Sequence, residues 1–269
     1  MIRGGNAAFS TANENLTSEP EGCYRIILMR SLGWHPICDD EERRDMTFEL
    51  GFANERAMTK RLTRRGYTDI VADRGIEKHI SDDIFFGGHI DLTVKNNGIK
   101  ELYELKSVSS VKSCIKYVQK NGYKLNNLAQ LVSYMLVDET SIGILAYCNF
   151  VYSPAAKEVI PEGKKSYGIS WEKMEPKVKE YRVTFDYKTI LIDDIAVEKV
   201  TIDNAIEHML RSTQIIKDKE VSRIKPTDKQ ACYSCEYKEV CDRFDSGEIN
   251  GDKWVELAIL LSEKEQERG

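Results

Sequence analysis

The sequence feature that most constrains the fold is a predicted β-hairpin centred on Asn97-Gly98. This dipeptide is preferred in two-residue type I′ turns, because both central residues must take a positive φ. β-rich segments flank it on both sides, from Phe85 to Lys95 and from Ile99 to Lys106. The turn therefore predicts two antiparallel strands in one register.

That register determines which residues face each other across the two strands. With the turn at Asn97-Gly98, Asp91 lies opposite Glu104, and His89 lies opposite Lys106. Side chains alternate along a strand, so one face of the hairpin is predicted to be apolar and the other polar. The apolar face comprises Ile90, Leu92, Val94, Tyr103 and Leu105, and the polar face comprises His89, Asp91, Thr93, Glu104 and Lys106.

The opposed carboxylates of Asp91 and Glu104 indicate a cation site. Directly opposed residues have Cβ atoms roughly 4.5–5.5 Å apart, and like charges at that distance destabilise a sheet. Mg²⁺ or Mn²⁺ would relieve the repulsion, since such ions take carboxylate oxygens and keep several waters. Lys106 is placed to hold a water or a phosphate oxygen. The alternative is a solvated strand face, because Lys95 opposite Lys100 is a like-charge pair that the hairpin tolerates.

A third acid comes from a helix predicted from about Glu41 to Arg65 and ended by Gly66. Its 3.6-residue spacing places Glu55 on a largely apolar stripe, where a carboxylate needs a partner. That partner is either a shared metal ion or a neighbouring Arg or Lys, and Glu49 is the competing acid. The stripe comprises Phe48, Phe52, Glu55, Thr59 and Leu62.

The segment after the hairpin supplies lysines and then a helix. Four lysines at intervals of four would line one helix face, either as a solvated face or as a track for a DNA backbone. They are Lys112, Lys116, Lys120 and Lys124. The next helix is predicted to start at an Asn126 or Asn127 cap. Its core stripe comprises Leu128, Leu131, Val132, Met135 and Leu136. Gln130 and Tyr134, one turn apart, either reach a scissile phosphate or bond to each other.

The remaining segments complete an α/β order of elements. Strands are predicted at about 67–73 and 76–81, from 141 to 152 and from 181 to 185, with a long insertion at 153–179. A helix begins at the cap candidate Thr201 or Asp203 and carries Ile202, Ile206, Met209 and Leu210. Residues 1–20 are predicted to be an extended or poorly ordered arm, and residues 246–269 a C-terminal helix.

Charge and cysteine content narrow the partners and the compartment. A net charge of −5 gives no global attraction to nucleic acid, so any DNA-binding surface must be a local basic patch. No apolar run approaches a membrane span and the polar start lacks a signal peptide, so we expect a cytoplasmic protein without membrane contacts. The seven cysteines are an odd number, which argues against a disulfide framework and for metal ligands or thiols.

Three of these cysteines are closely spaced as Cys232-x2-Cys235-x5-Cys241. A four-ligand site then needs one distant cysteine, for which Cys23 is preferred over Cys38. Four thiolates suit either a 4Fe-4S cluster or a tetrahedral Zn²⁺.

Together these motifs resemble the PD-(D/E)XK nuclease superfamily. Asp91 followed by Glu104-Leu105-Lys106 is similar to its D...(D/E)xK signature, with Ile90 where the family has proline. The segment 130–134 resembles the QxxxY motif of the RecB-like branch, and 51–55 resembles its upstream G...E helix. One cysteine before the core and three behind it resemble the iron-sulfur exonucleases of that branch, which include CRISPR-adaptation exonucleases and the nuclease domain of AddB.

The resemblance covers about residues 20–245 and implies a restriction-endonuclease-like α/β fold. The fold would have a central mixed β-sheet flanked by helices, a nuclease domain at 21–245 with its core at about 41–152, and chain ends joined by the four-cysteine cluster. The implied function is a metal-dependent DNA exonuclease acting on single-stranded or duplex ends. Its protein partners would belong to a recombination or CRISPR-adaptation complex.

The resemblance also implies roles for individual residues. One or two Mg²⁺ or Mn²⁺ ions would be held by Glu55, Asp91, Glu104 and the carbonyl of Leu105, while Lys106, Gln130 and Tyr134 complete the catalytic set and His89 touches DNA. The family places the cluster on Cys23, Cys232, Cys235 and Cys241, with zinc as the alternative. Two other functions stay open: a non-catalytic iron-sulfur DNA-binding scaffold, and a structure-specific endonuclease of the same superfamily.

Overall fold

The computed structural model describes residues 2–3, 41–79, 84–108, 123, 125–149, 178–198, 200–218 and 238–248. Its helices are α1 (Glu41–Arg64), α2 (Leu125–Val137), α3 (Ile202–Asp218) and α4 (Lys238–Asp245). Its strands are β1 (Ile2–Arg3), β2 (Thr68–His79), β3 (Ile84–Asn96), β4 (Ile99–Ser107), β5 (Ile142–Cys148), β6 (Val178–Asp186), β7 (Thr189–Ile192) and β8 (Ile195–Ala196).

The described strands form one mixed sheet. Its order is β1-β3-β4-β5-β6-β7-β8, and β2 pairs with the other edge of β3. β1 runs parallel to β3 and β4 runs parallel to β5, whereas the remaining pairs are antiparallel. This arrangement confirms the predicted α/β class with a central mixed sheet flanked by helices. The first strand, Ile2–Arg3, lies within the predicted N-terminal arm.

The hairpin turn is as the sequence predicts. Asn97 and Gly98 have φ values of 50° and 81°, as a type I′ turn requires. The ladder runs from Asn96 opposite Ile99 to Leu92 opposite Tyr103 and confirms the register. It ends there, so the predicted pairs of Asp91 with Glu104 and of His89 with Lys106 are not ladder pairs, and the backbone partner of His89 is Gly75 on β2.

The two strands of the hairpin separate beyond this point, while each keeps the neighbour on its other edge. β4 continues alongside β5 from Leu102 to Ser107, while β3 continues alongside β2. On the side away from β2, β3 meets β1 again at Ile84 and Phe85. No described strand lies against residues 87–91 on that side, so the sheet opens next to Asp91.

The apolar core has two layers, one on each face of the sheet. Met58 and Leu62 of α1 cover one face, which includes Leu92, Val94, Tyr103, Ile144 and Ala146. α2 and α3 cover the other face, which includes Phe86, Ile90, Leu102, Leu145 and Tyr147. All seven residues of β5 are buried, as expected for a strand covered on both faces.

One predicted face assignment on the hairpin is wrong. Ile90 packs on the α2 face, whereas Leu92 and Val94 pack on the α1 face, so the alternation of side chains changes phase at Asp91. The neighbouring strand explains the change. Asp73 of β2 has a φ of 47°, and the β2–β3 ladder omits an Asp73–Asp91 pair. Here β2 is a single irregular strand rather than the two predicted strands at 67–73 and 76–81.

Helix α1 ends as predicted but is rotated about its axis. Gly66, with a φ of 87°, donates its N–H to the Thr63 carbonyl at 3.0 Å, and Tyr67 donates to Leu62 at 3.2 Å. These two bonds are those of a Schellman cap. The predicted stripe is wrong at Phe52, which is 47% exposed, because the buried face is formed by Asn54, Met58 and Leu62.

The other helices differ from prediction at their starts or faces. α2 begins at Leu125, so Asn126 and Asn127 lie inside the helix and are not its cap. Its predicted core stripe is confirmed, with four residues fully buried and Leu136 partly so. Thr201 caps α3, since its Oγ1 accepts the Asn204 N–H at 3.1 Å. Ile206 and Leu210 are exposed there, whereas Ala205 is buried.

Candidate functional site

The candidate site lies where β3 and β4 separate, and Asp91 is at its centre. The Leu105 N–H, which has no strand partner on this side, donates a hydrogen bond to Asp91 Oδ2 at 2.6 Å. The carboxylate thus replaces the next ladder bond. Burial and the nearby Glu104 carboxylate raise the pKa of Asp91 well above its ordinary range, against the lowering effects of the Leu105 N–H and Lys106.

Glu104 and Lys106 lie on the α2 face of β4 and form an ion pair in which Glu104 is buried and Lys106 partly buried. Glu104 is 2% exposed, and its Oε1 lies 2.5 Å from Lys106 Nζ. Its other oxygen, Oε2, is buried without a hydrogen-bond partner among the described residues. Burial raises the pKa of Glu104 although Lys106 lowers it. Burial alone would lower the pKa of Lys106, but its contacts with Glu104 raise it overall.

Helix α2 continues this contact as a chain of hydrogen bonds. Lys106 Nζ donates to Gln130 Oε1 at 2.9 Å, and Gln130 Nε2 donates to the Tyr134 hydroxyl at 3.1 Å. Tyr134 is buried, which raises the pKa of its phenol. Of the two alternatives for Gln130 and Tyr134, the structure shows the bond to each other, and Gln130 also contacts Lys106. Their contact with a phosphate stays a prediction.

Glu55 approaches the site from α1. It is half-buried, and burial raises its pKa, with further raising from Asp73 and Glu104 and lowering from Arg56. Glu55 is thus close enough to the site for the Glu104 charge to act on its pKa, whereas the side chain of the competing acid Glu49 is exposed. α1 is tied to the end of β4 because Asn54 Nδ2 donates to Ser107 Oγ at 2.7 Å.

His89 lies on the exposed side of β3, next to an acid of β2. Its Nδ1 lies 2.8 Å from Asp73 Oδ1, and both side chains are more than half exposed. Asp73 pairs with His89 and acts on Glu55, but the sequence did not predict a role for it. The predicted break between two strands after residue 73 is a weak indication that Asp73 is unusual. No sequence pattern indicated a role for Asn54.

The side chains at the opening suit a divalent cation only in part. Among the described residues, no three His, Cys, Asp or Glu side chains converge closely enough to form a metal-binding group. Two observations nevertheless suit a cation: the unpartnered Glu104 Oε2, and the raised pKa values of two adjacent carboxyl groups. A cation would satisfy that oxygen and favour both ionised forms. The predicted ligand set stays a prediction.

Several predicted residues fall wholly or partly outside the described ranges. Cys241 lies in α4 and is half-buried, whereas the other three predicted cluster ligands, Cys23, Cys232 and Cys235, lie outside the described residues. The same holds for Cys38 and for the lysine stripe of Lys112, Lys116, Lys120 and Lys124. The predicted insertion at 153–179 and the C-terminal helix at 246–269 also lie almost entirely outside them.

Comparisons with known proteins give a distant structural neighbour and no family. No protein-family model matches it, and no curated protein matches it. One similar solved structure is described as the crystal structure of SSO0001; it is 14% identical, the match covers 86% of this chain and 84% of that chain, and the TM-score is 0.43.

Within the described ranges, no helix is both long and apolar enough to cross a membrane.

Proposed function

We propose that the chain is a metal-dependent deoxyribonuclease that hydrolyses phosphodiester bonds at DNA ends. The observation that carries the proposal is the opening between β3 and β4, where Asp91 and Glu104 adjoin Lys106. Burying two adjacent carboxylates destabilises a fold unless a cation or a proton neutralises them. Such an arrangement has a clear use in phosphoryl transfer, where cations offset the charge of the reacting phosphate.

The ligands proposed for Mg²⁺ or Mn²⁺ are Asp91, Glu104, Glu55 and the Leu105 carbonyl. In an extended strand the N–H and C=O of one residue point towards the same neighbour. Because the Leu105 N–H reaches Asp91, we infer that its carbonyl is also directed to the β3 side. When bound, the ion would polarise the scissile phosphate and lower the pKa of an attacking water. These four ligands suit either one ion or two.

The neighbouring side chains have separate tasks in this proposal. Lys106 carries a partly buried positive charge that stabilises negative charge developing on the phosphate oxygens. Gln130 holds the Lys106 ammonium through its Oε1 and so limits the positions that the ammonium can take. His89 is exposed and oriented by Asp73, which suits a contact with the DNA backbone beside the cleavage point.

The cysteines supply the second part of the proposal, a 4Fe-4S cluster that joins the two ends of the nuclease domain. Cys241 contributes a thiol from the half-buried part of α4. Zn²⁺ is the alternative for the same four thiols, because it also binds Cys₄ sets. The resemblance of the cysteine spacing to iron-sulfur exonucleases favours the cluster.

Digestion of end-labelled linear DNA beside closed circular DNA tests the function. With Mg²⁺ or Mn²⁺, we expect the linear DNA to shorten from its ends and the closed circle to survive; EDTA should stop the reaction. Cleavage of the closed circle would indicate the endonuclease alternative. DNA binding without cleavage of either substrate would indicate the iron-sulfur scaffold.

Two substitutions connect that activity to the site. Asp91→Asn and Lys106→Ala should abolish cleavage while leaving DNA binding intact, because each removes one charge from the opening. Matched controls come from the same sheet: Asp69→Asn and Lys95→Ala break an exposed ion pair of 2.7 Å and should retain activity. Wild-type rates in the Asp91 or Lys106 variant would contradict the site assignment.

A further inference from the structure

A glycine on β3 brings the backbone and α2 unusually close together. A Cβ atom placed on Gly88 would lie 2.8 Å from Tyr134 Cε1, 3.2 Å from its hydroxyl and 3.3 Å from its Cζ. Real Cβ atoms essentially never approach another heavy atom within 3.0 Å. The φ of Gly88 lies outside the left-handed region, so another residue could adopt this backbone. Glycine is needed at position 88 because any side chain there would occupy the space of the Tyr134 ring.

The ring that fills this space begins a chain of contacts leading to Lys106. The Tyr134 hydroxyl accepts a hydrogen bond from Gln130 Nε2 at 3.1 Å, and Gln130 Oε1 accepts one from Lys106 Nζ at 2.9 Å. Lys106 in turn lies 2.5 Å from Glu104. We propose that Gly88 is a positioning residue, which sets the location of the Lys106 ammonium through Tyr134 and Gln130.

The packing around Tyr134 determines what a methyl group at position 88 would do. Tyr134 is 5% exposed and belongs to the same core cluster as Phe86 and Ile90, which flank Gly88 on β3. A methyl group at position 88 must therefore move the ring or the whole helix, since well-packed interiors have few voids to absorb it. Movement of the ring would lengthen the 3.1 Å bond that orients the Gln130 amide and so shift the Lys106 ammonium, which stays paired with Glu104.

A second glycine provides a matched control on the same helix. A Cβ on Gly143 of β5 would lie 2.6 Å from Met135 Sδ and 3.0 Å from the Leu131 methyl carbons. Gly143→Ala therefore also pushes on α2, but through residues outside the Tyr134–Gln130–Lys106 chain. Comparing the two alanine variants separates a general displacement of the helix from a specific effect on Lys106.

The experiment records the side-chain amide ¹H–¹⁵N signal of Gln130, assigned with Gln130→Ala, in the full-length protein. We expect Gly88→Ala to shift this signal and to lower kcat on linear DNA roughly 100-fold, the order expected for a misplacement of about 1 Å. Gly143→Ala should lower the melting temperature but leave the Gln130 signal and kcat close to wild type. A Gln130 signal that is unmoved in Gly88→Ala, or moved equally by Gly143→Ala, overturns the proposal.

A double variant covers the case in which Gly88→Ala does not fold. Tyr134→Leu removes the atoms that the new methyl group would meet, so Gly88→Ala should cost nothing further in that background, in either stability or kcat. If the double variant is as unfolded as Gly88→Ala alone, Tyr134 is not the obstacle and the proposal is wrong. The kinetic part rests on the proposed nuclease function, whereas the NMR signal and the stability cycle do not. A wild type without nuclease activity would therefore refute the function alone.

Discussion

Asp91→Asn should have opposite effects on stability with and without a divalent cation. The asparagine Oδ1 can still accept the Leu105 N–H that Asp91 Oδ2 accepts at 2.6 Å, so the backbone contact is kept. The substitution removes one of two adjacent carboxylate charges. Asp91 and Glu104 are not a ladder pair, but burial and the Glu104 carboxylate both raise the pKa of Asp91. We therefore expect the like charges to destabilise the fold by about 1 kcal/mol, the size of a strong cross-strand pair.

The sign of the pH dependence follows from the raised pKa of Asp91. The folded protein holds this proton more tightly than the unfolded chain, whose aspartates titrate near 3.9, because of burial and the Glu104 carboxylate. The contribution of Asp91 to stability is therefore largest in acid and is lost as the pH rises from about 3.9 through the raised pKa. Without metal, we expect Asp91→Asn to be about 1 kcal/mol more stable at neutral pH and equal to wild type in acid.

A bound cation should reverse the order of the two proteins. A ligand at 100 times its Kd stabilises the folded state by about 2.7 kcal/mol, and the asparagine variant loses most of that gain. Urea unfolding followed by circular dichroism, in EDTA and in Mg²⁺, measures both effects, with Asp69→Asn as the control for an exposed acid of the same sheet. Destabilisation of Asp91→Asn in EDTA, or an equal gain from Mg²⁺ in both proteins, would refute the reasoning.

Three further predictions concern other parts of the chain. Asp138→Asn removes the carboxylate charge shared by Arg74 and Lys100 and leaves one acceptor oxygen, so we expect a cost of about 1.5–3 kcal/mol at neutral pH. Burial would raise the pKa of Asp138, but hydrogen bonds from Lys100, Thr140 and Arg74 lower it overall, so its stabilisation exists above about pH 3.9 and disappears in acid; urea midpoints at pH 7 and pH 3 check this. Purified protein should be brown and contain iron, and Cys241→Ala, like alanine at Cys23, Cys232 or Cys235, should bleach it, whereas Cys38→Ala should not; colourless protein with stoichiometric zinc would replace the cluster with a zinc site. Removing all four stripe lysines should reduce the salt slope of log DNA affinity by about three to four, and an unchanged slope means a merely solvated stripe. These lysines are Lys112, Lys116, Lys120 and Lys124.

The parts of the fold that could be predicted are those set by local chemistry. Asn97-Gly98 sets the hairpin register because few residue pairs accept two positive φ values, and Gly66 ends α1 for a similar reason. The core stripe of α2 follows from a spacing of apolar residues that only one helix face satisfies. The same register brings Asp91, Glu104 and Lys106 into one region, as expected.

The remaining features depend on residues distant in sequence. The change of phase at Asp91, next to the end of the β3–β4 ladder, accompanies an irregularity at Asp73 on another strand. No pattern within the hairpin contains that information. The exposure of Phe52 likewise depends on how α1 lies on the sheet, and a helix with both apolar and charged residues on several faces leaves that rotation undetermined.

The end of the ladder at Leu92 also determines whether Asp91 and Glu104 can each be exchanged between aspartate and glutamate in variants of this sequence. The Asp91 carboxylate accepts the Leu105 N–H at 2.6 Å between two strands of fixed separation. A glutamate, longer by one methylene, would have to fold back or push the strands apart. Glu104 makes no such backbone contact. One of its oxygens pairs with the flexible Lys106 ammonium, and the other has no hydrogen-bond partner among the described residues. Drift between glutamate and aspartate should therefore be common at position 104 and rare at position 91.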